Sequence, residues 1–452
     1  MELGLGLIKV APLIIYIGSF IVVFLTLFYR IEVGILYLVP LLPLQSILDR
    51  MQQYPGGKDF IDILLLALVV RWFINKRKAG KSIFIKTSFN LPILILVLWT
   101  YIELWLGSSN FSLSLPIQFQ DARLKDWKNF MVLPLIYFII TNNVNDRNFI
   151  KLLTILMALS MAAMDVSFYN NFTEPEEFTW GAWIGGTFSY LGSNELASFY
   201  AMNTMILISL FLFDASVRRK VLFFAVAIFN LYCIIFLYSR GGYLATLVGF
   251  AYLGLVKNKK IFVALVVFLL FWKAFLPLSV IQRIEMTQTE SGYDQSIEER
   301  LSMWEKGKQI FLQHPVIGVG YGTTPYLGIT DDIVKHRRRS LHNQYLQTAM
   351  ELGVIGLSIS MWLYILGIRA GWRLYKVVDE GFFKGLGIGL TAYVLAILVS
   401  NISGTFWRYL NVMGFYWVFL AFVVRTRIDI EQKVKTELRP VPRRCEESYS
   451  IN

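Results

Sequence analysis

Apolar runs close to twenty residues long dominate this chain and restrict its fold more than any other feature. Inside hydrocarbon a backbone must satisfy its own hydrogen bonds, so a run of that length is expected to cross a bilayer as a helix. Thirteen runs qualify, near 11–29, 31–48, 59–75, 89–107, 128–142, 149–168, 194–213, 220–238, 241–256, 261–277, 351–369, 383–400 and 409–425. Twelve is an equal count, because the first two runs are crowded together and 128–142 is short. The expected fold class is an all-α polytopic membrane protein with 12–13 transmembrane helices and one long external loop containing short helices. The first run lacks a basic leader and a small-residue cleavage site, and reads as a retained anchor.

Positive charge sets the orientation, because cytoplasmic loops are enriched in Lys and Arg. Lys76–Lys81, Arg218-Arg219-Lys220, Lys257-Lys259-Lys260, Arg369–Lys376 and the tail from Arg425 all fall on one side when spans are counted. Much of the net charge of +12 therefore reports topology, and no basic-aromatic module stands apart for nucleic acid. The expected organisation is N-terminal transmembrane helices over 1–277 (about ten spans), an extracytoplasmic catalytic loop 278–345, three C-terminal spans over 346–425, and a cytoplasmic basic tail 426–452 that is solvated and partly disordered. Cys233 and Cys445, in a helix and in the tail, are not expected to pair.

The loop 278–345 holds all three histidines, His314, His336 and His342, and eight Lys or Arg residues. Basic residues on the outer face break the positive-inside pattern, so Arg123, Lys125, Lys128, Arg240, Arg300 and the Lys335–Arg339 cluster call for an explanation. Capture of an anionic group beside the bilayer is one. Four stretches stand out. In Tyr238-Ser239-Arg240-Gly241-Gly242-Tyr243, two glycines permit a tight turn or close backbone approach, and Arg240 either snorkels to lipid headgroups or binds a substrate anion. In Glu299–Gly307, Arg300 and Trp304 share a helix face, with the indole expected at headgroup depth. In His314-Pro315-Val316-Ile317-Gly318-Val319-Gly320-Tyr321-Gly322, alternating glycines suit tight loop packing, and His314 reads as structural. In Leu341-His342-Asn343-Gln344-Tyr345-Leu346, His342 opens a helix, where an imidazole tends to stay neutral and able to accept a proton.

In this order the four stretches resemble the O-antigen ligase and O-antigen polymerase superfamily, most strongly from about Gly185 to Leu357. Gly186-Thr187-Phe188 and Asn194-Glu195-Leu196-Ala197 also look like that family's earlier external loop. The resemblance implies an inner-membrane glycosyltransferase with its active site facing the periplasm. Its donor would be a polyprenyl (undecaprenyl) diphosphate-linked glycan, and its acceptor a sugar hydroxyl on a lipid-linked glycan or on lipid A core. The product would be surface polysaccharide: O-antigen, lipopolysaccharide or exopolysaccharide. It implies inversion at the anomeric carbon, His342 as general base, and Arg240 and Arg300 on the diphosphate. Arg337, Arg338, Arg339 and Arg123 are further anion-binding candidates, and Trp304, Asn343, Tyr345 and Gly241 are supporting residues.

No metal or other cofactor is expected: no external loop carries DxD, and the histidines lack metal-ligand spacing. Asp331-Asp332 reads as a solvated turn. Ligase and polymerase are not separated by these motifs, and a protein oligosaccharyltransferase of the same superfamily would share them. A flippase or transporter of the lipid-linked glycan is the competing class. It predicts ionisable groups deep in the spans, whereas Asp62, Arg71, Glu103 and Asp165 fall near predicted span ends.

Overall fold

A computed structural model describes residues 7–118, 121–175, 177–178, 192–286, 288–289, 292–293, 295–329 and 340–437. Its helices are α1 (Leu7–Phe28), α2 (Ile31–Leu41), α3 (Gln45–Arg50), α4 (Phe60–Lys78), α5 (Asn90–Asn110), α6 (Ala122–Asn143), α7 (Arg147–Asn171), α8 (Ser193–Phe213), α9 (Val217–Phe236), α10 (Arg240–Val256), α11 (Lys259–Phe275), α12 (Leu278–Glu285), α13 (Gln295–Gln313), α14 (Gln344–Val377), α15 (Gly381–Ser400) and α16 (Leu410–Glu437). Strands β1 (Gln288–Thr289) and β2 (Gly292–Tyr293) make a two-residue antiparallel ladder in the long loop. The chain is an all-α polytopic membrane protein.

Every predicted span coincides with a helix or a bent helix pair. Among the described residues six helices are long and apolar enough to cross a membrane, or up to eight if each bent pair is one span, and α10 and Pro12–Phe28 are shorter apolar helices. Helices α4, α6 and α16 fall short by that measure because charged and polar residues occupy their ends. The run 31–48 is not one straight span: α2 and α3 meet at 106°, with Pro40 in the last turn of α2. The expected solvated tail also starts later, because α16 continues to Glu437. Arg425–Asp429 and Arg427–Glu431 pair along it, one helical turn apart.

Helix α8 forms the centre. Every residue from Leu196 to Leu210 is buried, as expected for a helix apolar all round and surrounded by others. Helix α15 packs on it and on α14 through small residues. A Cβ on Gly387 would lie 2.8 Å from the Gly371 carbonyl oxygen, so the α14 and α15 backbones touch directly, as lipid-embedded helices do where small residues meet. At the opposite extreme, α11 has no buried residue. Past Leu276 the chain turns by 107° into α12, with Pro277 at its N-cap.

Glu103 and Asp165 depart from the expected placement near span ends. They lie seven and six residues inside α5 and α7, about 10 Å along the axis, and both are fully buried. Asp165 accepts from the Cys233 thiol at 3.5 Å. With its amide turned so that the nitrogen faces the carboxyl, Asn230 donates to Asp165 at 3.0 and 3.1 Å. This cluster joins α7 to α9 as polar glue.

The long loop is built into the bundle through a break in α14. Gly353 has φ 66° and ψ −172°, a conformation open essentially to glycine alone. In an unbroken helix the Met350 and Glu351 carbonyls would accept from the N–H groups of Val354 and Ile355. Here the Val319 and Gly320 N–H groups donate to those carbonyls at 3.0 and 2.9 Å. The Pro315 and Val316 carbonyls accept from Val354 and Ile355 at 2.9 and 3.5 Å. The glycine-rich stretch thus replaces the two missing helical hydrogen bonds, which leaves no orphaned backbone at the kink. A Cβ on Gly353 would overlap the Val316 carbonyl. Gly353→Ala is therefore expected to cost at least about 1–3 kcal/mol. Thermal unfolding in detergent checks this, and an unchanged midpoint would show that the kink can relax.

Candidate active site

Four chain segments converge at one end of the bundle, and each is placed by local hydrogen bonding. Ser239 is the N-cap of α10: its Oγ accepts from the Gly242 N–H at 3.3 Å and donates to Asn194 Oδ1 at 2.8 Å. Asn343 is the N-cap of α14, with its Oδ1 accepting from the Leu346 N–H at 3.0 Å. Such caps satisfy helix-end donors that would otherwise be orphaned. Gly241 serves close approach rather than a turn, since it lies inside α10 and a Cβ there would overlap the Ser403 hydroxyl. Next to it, a Cβ on Gly242 would lie 2.7 Å from the Ala197 Cβ.

The loop 401–409 is the common anchor. The Gln344 N–H donates to the Asn401 carbonyl at 2.9 Å, and the Trp407 N–H donates to Gln344 Oε1 at 3.2 Å. The Tyr345 hydroxyl donates to the Leu398 carbonyl at 2.6 Å. The starts of α10 and α14 are therefore both held against one short loop.

His342 precedes the α14 N-cap and carries a left-handed backbone, φ 49°, uncommon for a residue with a side chain. Tyr238, just before Ser239, shares it with φ 51°. Trp304 supports His342 directly: its indole N–H donates to the Leu341 carbonyl at 2.8 Å. The indole thus fixes the backbone beside the histidine. Burial, and then the Arg300 charge, lower the His342 imidazole from 6.5 to about 4, so it is neutral at ordinary pH. The Arg300 charge also acts on Glu195 at the start of α8. That places Arg300, His342 and Glu195 in one electrostatic neighbourhood.

Arg240 lies beside a residue that sequence reasoning passed over. Its guanidinium donates to the Arg283 carbonyl at 2.9 and 3.3 Å. The Arg283 guanidinium donates to the Tyr238 carbonyl at 3.4 Å and lies 5.1 Å from the Phe178 ring centroid. Arg240 and Arg283 thus each bind the backbone of the other's segment where α12 folds back on the α10 start, a pairing that the long sequence separation concealed.

Arg123 must be corrected as an anion-binding candidate. It is buried, and its guanidinium donates to Ser108 Oγ at 2.9 Å, the Ser114 carbonyl at 2.6 Å and Asp121 at 3.1 Å. It ties Ser114 and Asp121 to Ser108 at the end of α5. Burial pushes the Asp121 carboxyl up, but the N–H groups of Leu124 and Arg123 and the guanidinium outweigh it and hold the carboxyl low. His314 is exposed at the end of α13, whereas His342 is half-buried. Arg337, Arg338, Arg339, His336, Asp331-Asp332 and Gly186-Thr187-Phe188 lie outside the described residues.

Sequence reasoning also missed a buried ion pair. Glu351, fully buried in α14, pairs with Arg408 from the loop 401–409. Glu351 accepts further from the Gly322 N–H at 3.1 Å, Gln347 Nε2 at 3.2 Å and the Thr324 hydroxyl. The Arg408 guanidinium lies 4.0 Å from the Tyr321 ring centroid. Burial pulls the Arg408 pKa down, but the Glu351 carboxylate outweighs it and holds the guanidinium firmly protonated. The only sequence signal was that Arg408 falls on the outer face between two spans, where positive charge is scarce.

The comparisons with known proteins cover the same region. Residues 225–361 match the O-antigen ligase family. The matched segment runs from α9 to the middle of α14. It includes Arg240, Arg283, Arg300, Trp304, His342 and Glu351, but not Arg408 or the α8 start. The chain is also similar to a Rickettsia typhi protein named "putative polysaccharide ligase", 23% identical over 224 residues, which is 45% of this chain and 53% of the relative. A Rickettsia prowazekii protein of the same description is 22% identical over equal coverage. The chain thus spans about half the length of the curated relatives it matches.

Proposed function

We propose that the protein transfers a glycan from a polyprenyl diphosphate carrier to a sugar hydroxyl at the outer face of a bacterial inner membrane. The observation that carries this is a half-buried, neutral histidine near an arginine at one end of a membrane bundle, within the segment that matches the O-antigen ligase family. The acceptor hydroxyl loses its proton to the His342 imidazole and its oxygen attacks the anomeric carbon. The bond to the diphosphate breaks on the opposite face, its electron pair leaving with the phosphate oxygen, and the configuration inverts. Arg240, Arg283 and Arg300 stabilise the charge that develops on the diphosphate. Arg337–Arg339 would extend that cationic surface. The product is assigned to surface polysaccharide. Ligase and polymerase differ only in the acceptor, lipid A core or another lipid-linked glycan.

Purified protein in detergent, given an undecaprenyl diphosphate-linked oligosaccharide with each acceptor in turn, tests this directly. Transfer by the wild type, with donor KM raised in Arg300→Ala, is expected, and the productive acceptor names the subclass. No transfer to either acceptor, together with carrier movement across proteoliposomes, would establish a flippase instead.

The pH profile follows from the depressed imidazole. The basic form of His342 is present above about pH 4 and lost as pH falls through it. For the free protein, kcat/KM should therefore hold at about pH 5 and fall below about pH 4. A bound diphosphate offsets the Arg300 charge and lifts the imidazole, so the acid limb of kcat should lie at higher pH than that of kcat/KM. An acid limb of kcat/KM near 6.5 would count against the half-buried base.

A further inference from the structure

A cleft of about 530 Å³ opens beside the α14 start. Its walls come from the α3–α4 junction, the first turns of α6, residues 322–325, the first turns of α14, and residues 405–411. Arg240, Arg283, Arg300 and His342 do not line it, but Ser340 and Gln344, each two residues from His342, do. The cleft thus reaches the α14 start without being lined by these arginines.

The cleft has a different chemistry from the arginine side. Among the described residues five carboxylates and four basic groups line it, so cations are not in surplus there. Two of the four cations are already engaged, Lys128 with Asp62 at 2.5 Å and Arg408 with Glu351. Carboxylates and amides such as Asp59, Gln344, Gln347 and Asn411 offer hydroxyl groups both acceptors and donors. Tyr409, exposed to 41%, adds a ring with an apolar face and a polar edge. The volume is within the range of small-ligand sites, roughly 300–1,000 Å³. Apolar side chains such as Leu48, Phe60 and Leu410 lie between these polar groups, so the wall is mixed throughout.

We infer that this cleft binds the hydroxyl-rich acceptor glycan, presenting it to His342 across the α14 start from the diphosphate. The inference rests on the transferase function proposed above and adds where the second substrate sits. It places Asp59, Asn411 and Tyr409 in acceptor recognition.

The full-length protein carrying Asp59→Cys and Cys445→Ser tests it without needing turnover, since Cys233 is buried. Maleimide labelling of the new thiol is followed with three probes: oligosaccharide released from the lipid-linked donor, core oligosaccharide released from lipopolysaccharide, and undecaprenyl diphosphate. Either oligosaccharide should slow labelling about tenfold at ten times its Kd, with undecaprenyl diphosphate leaving the rate unchanged. Protection by neither oligosaccharide overturns the assignment. Protection by undecaprenyl diphosphate overturns it too, by giving the cleft to the carrier. Failure of the transferase function itself would be seen separately, as absence of transfer by the wild type.

Discussion

His342→Asn is expected to lower kcat by about 10²–10⁴ with donor KM unchanged, the range for removal of a positioned general base. Asparagine is the informative replacement because the position is left-handed, φ 49°, and asparagine adopts that conformation more readily than most residues. The backbone between the Trp304 anchor at Leu341 and the Asn343 cap should therefore survive. The thermal midpoint checks that point independently of rate. Single-turnover measurement with saturating donor isolates the chemical step from product release. A decrease below tenfold would remove His342 from the role of base and leave it as a packing residue at the α14 start.

Glu351→Ala is expected to destabilise the protein by about 3–5 kcal/mol, because breaking a buried pair leaves the remaining charge uncompensated. The stranded group is Arg408, 21% exposed, whose partner is fully buried. The same substitution removes the acceptor for Gly322, Thr324 and Gln347. It therefore loosens the glycine-rich loop, the α14 start and the loop 401–409 together. The double variant Glu351→Leu with Arg408→Met should cost clearly less than the single one, since apolar replacement of both partners avoids the buried unpaired charge. Equal losses in single and double variants, measured by thermal unfolding, would show that the partners act independently.

Much of the site was legible in the linear chain for a specific reason. Arg240, Arg300, Trp304 and His342 are polar or amphipathic residues in a chain otherwise rich in Leu, Ile, Val and Phe, and they lie on the face where basic residues are expected to be few. The alternating glycines were legible as tight packing. Their role as substitute partners for a broken helix was not, because nothing local marks Gly353 as a break inside α14. Arg123 looked like Arg300 in sequence, and only the buried ring of Ser108, Ser114 and Asp121 around it separates the two. Arg283 and Arg408 were missed because their significance lies in partners 43 and 57 residues away.

The helical, membrane-spanning character and the positions of the apolar helices were determined by the sequence alone. Hydrocarbon forbids unsatisfied backbone over about twenty residues. Which outer residues meet was decided only by tertiary structure. Hydrogen bonds from the loop 401–409, from Trp304 and across the Gly353 kink join segments distant in the chain, and no periodicity or composition encodes such pairings. The mixed-charge cleft beside the α14 start is likewise assembled from segments distant in the chain.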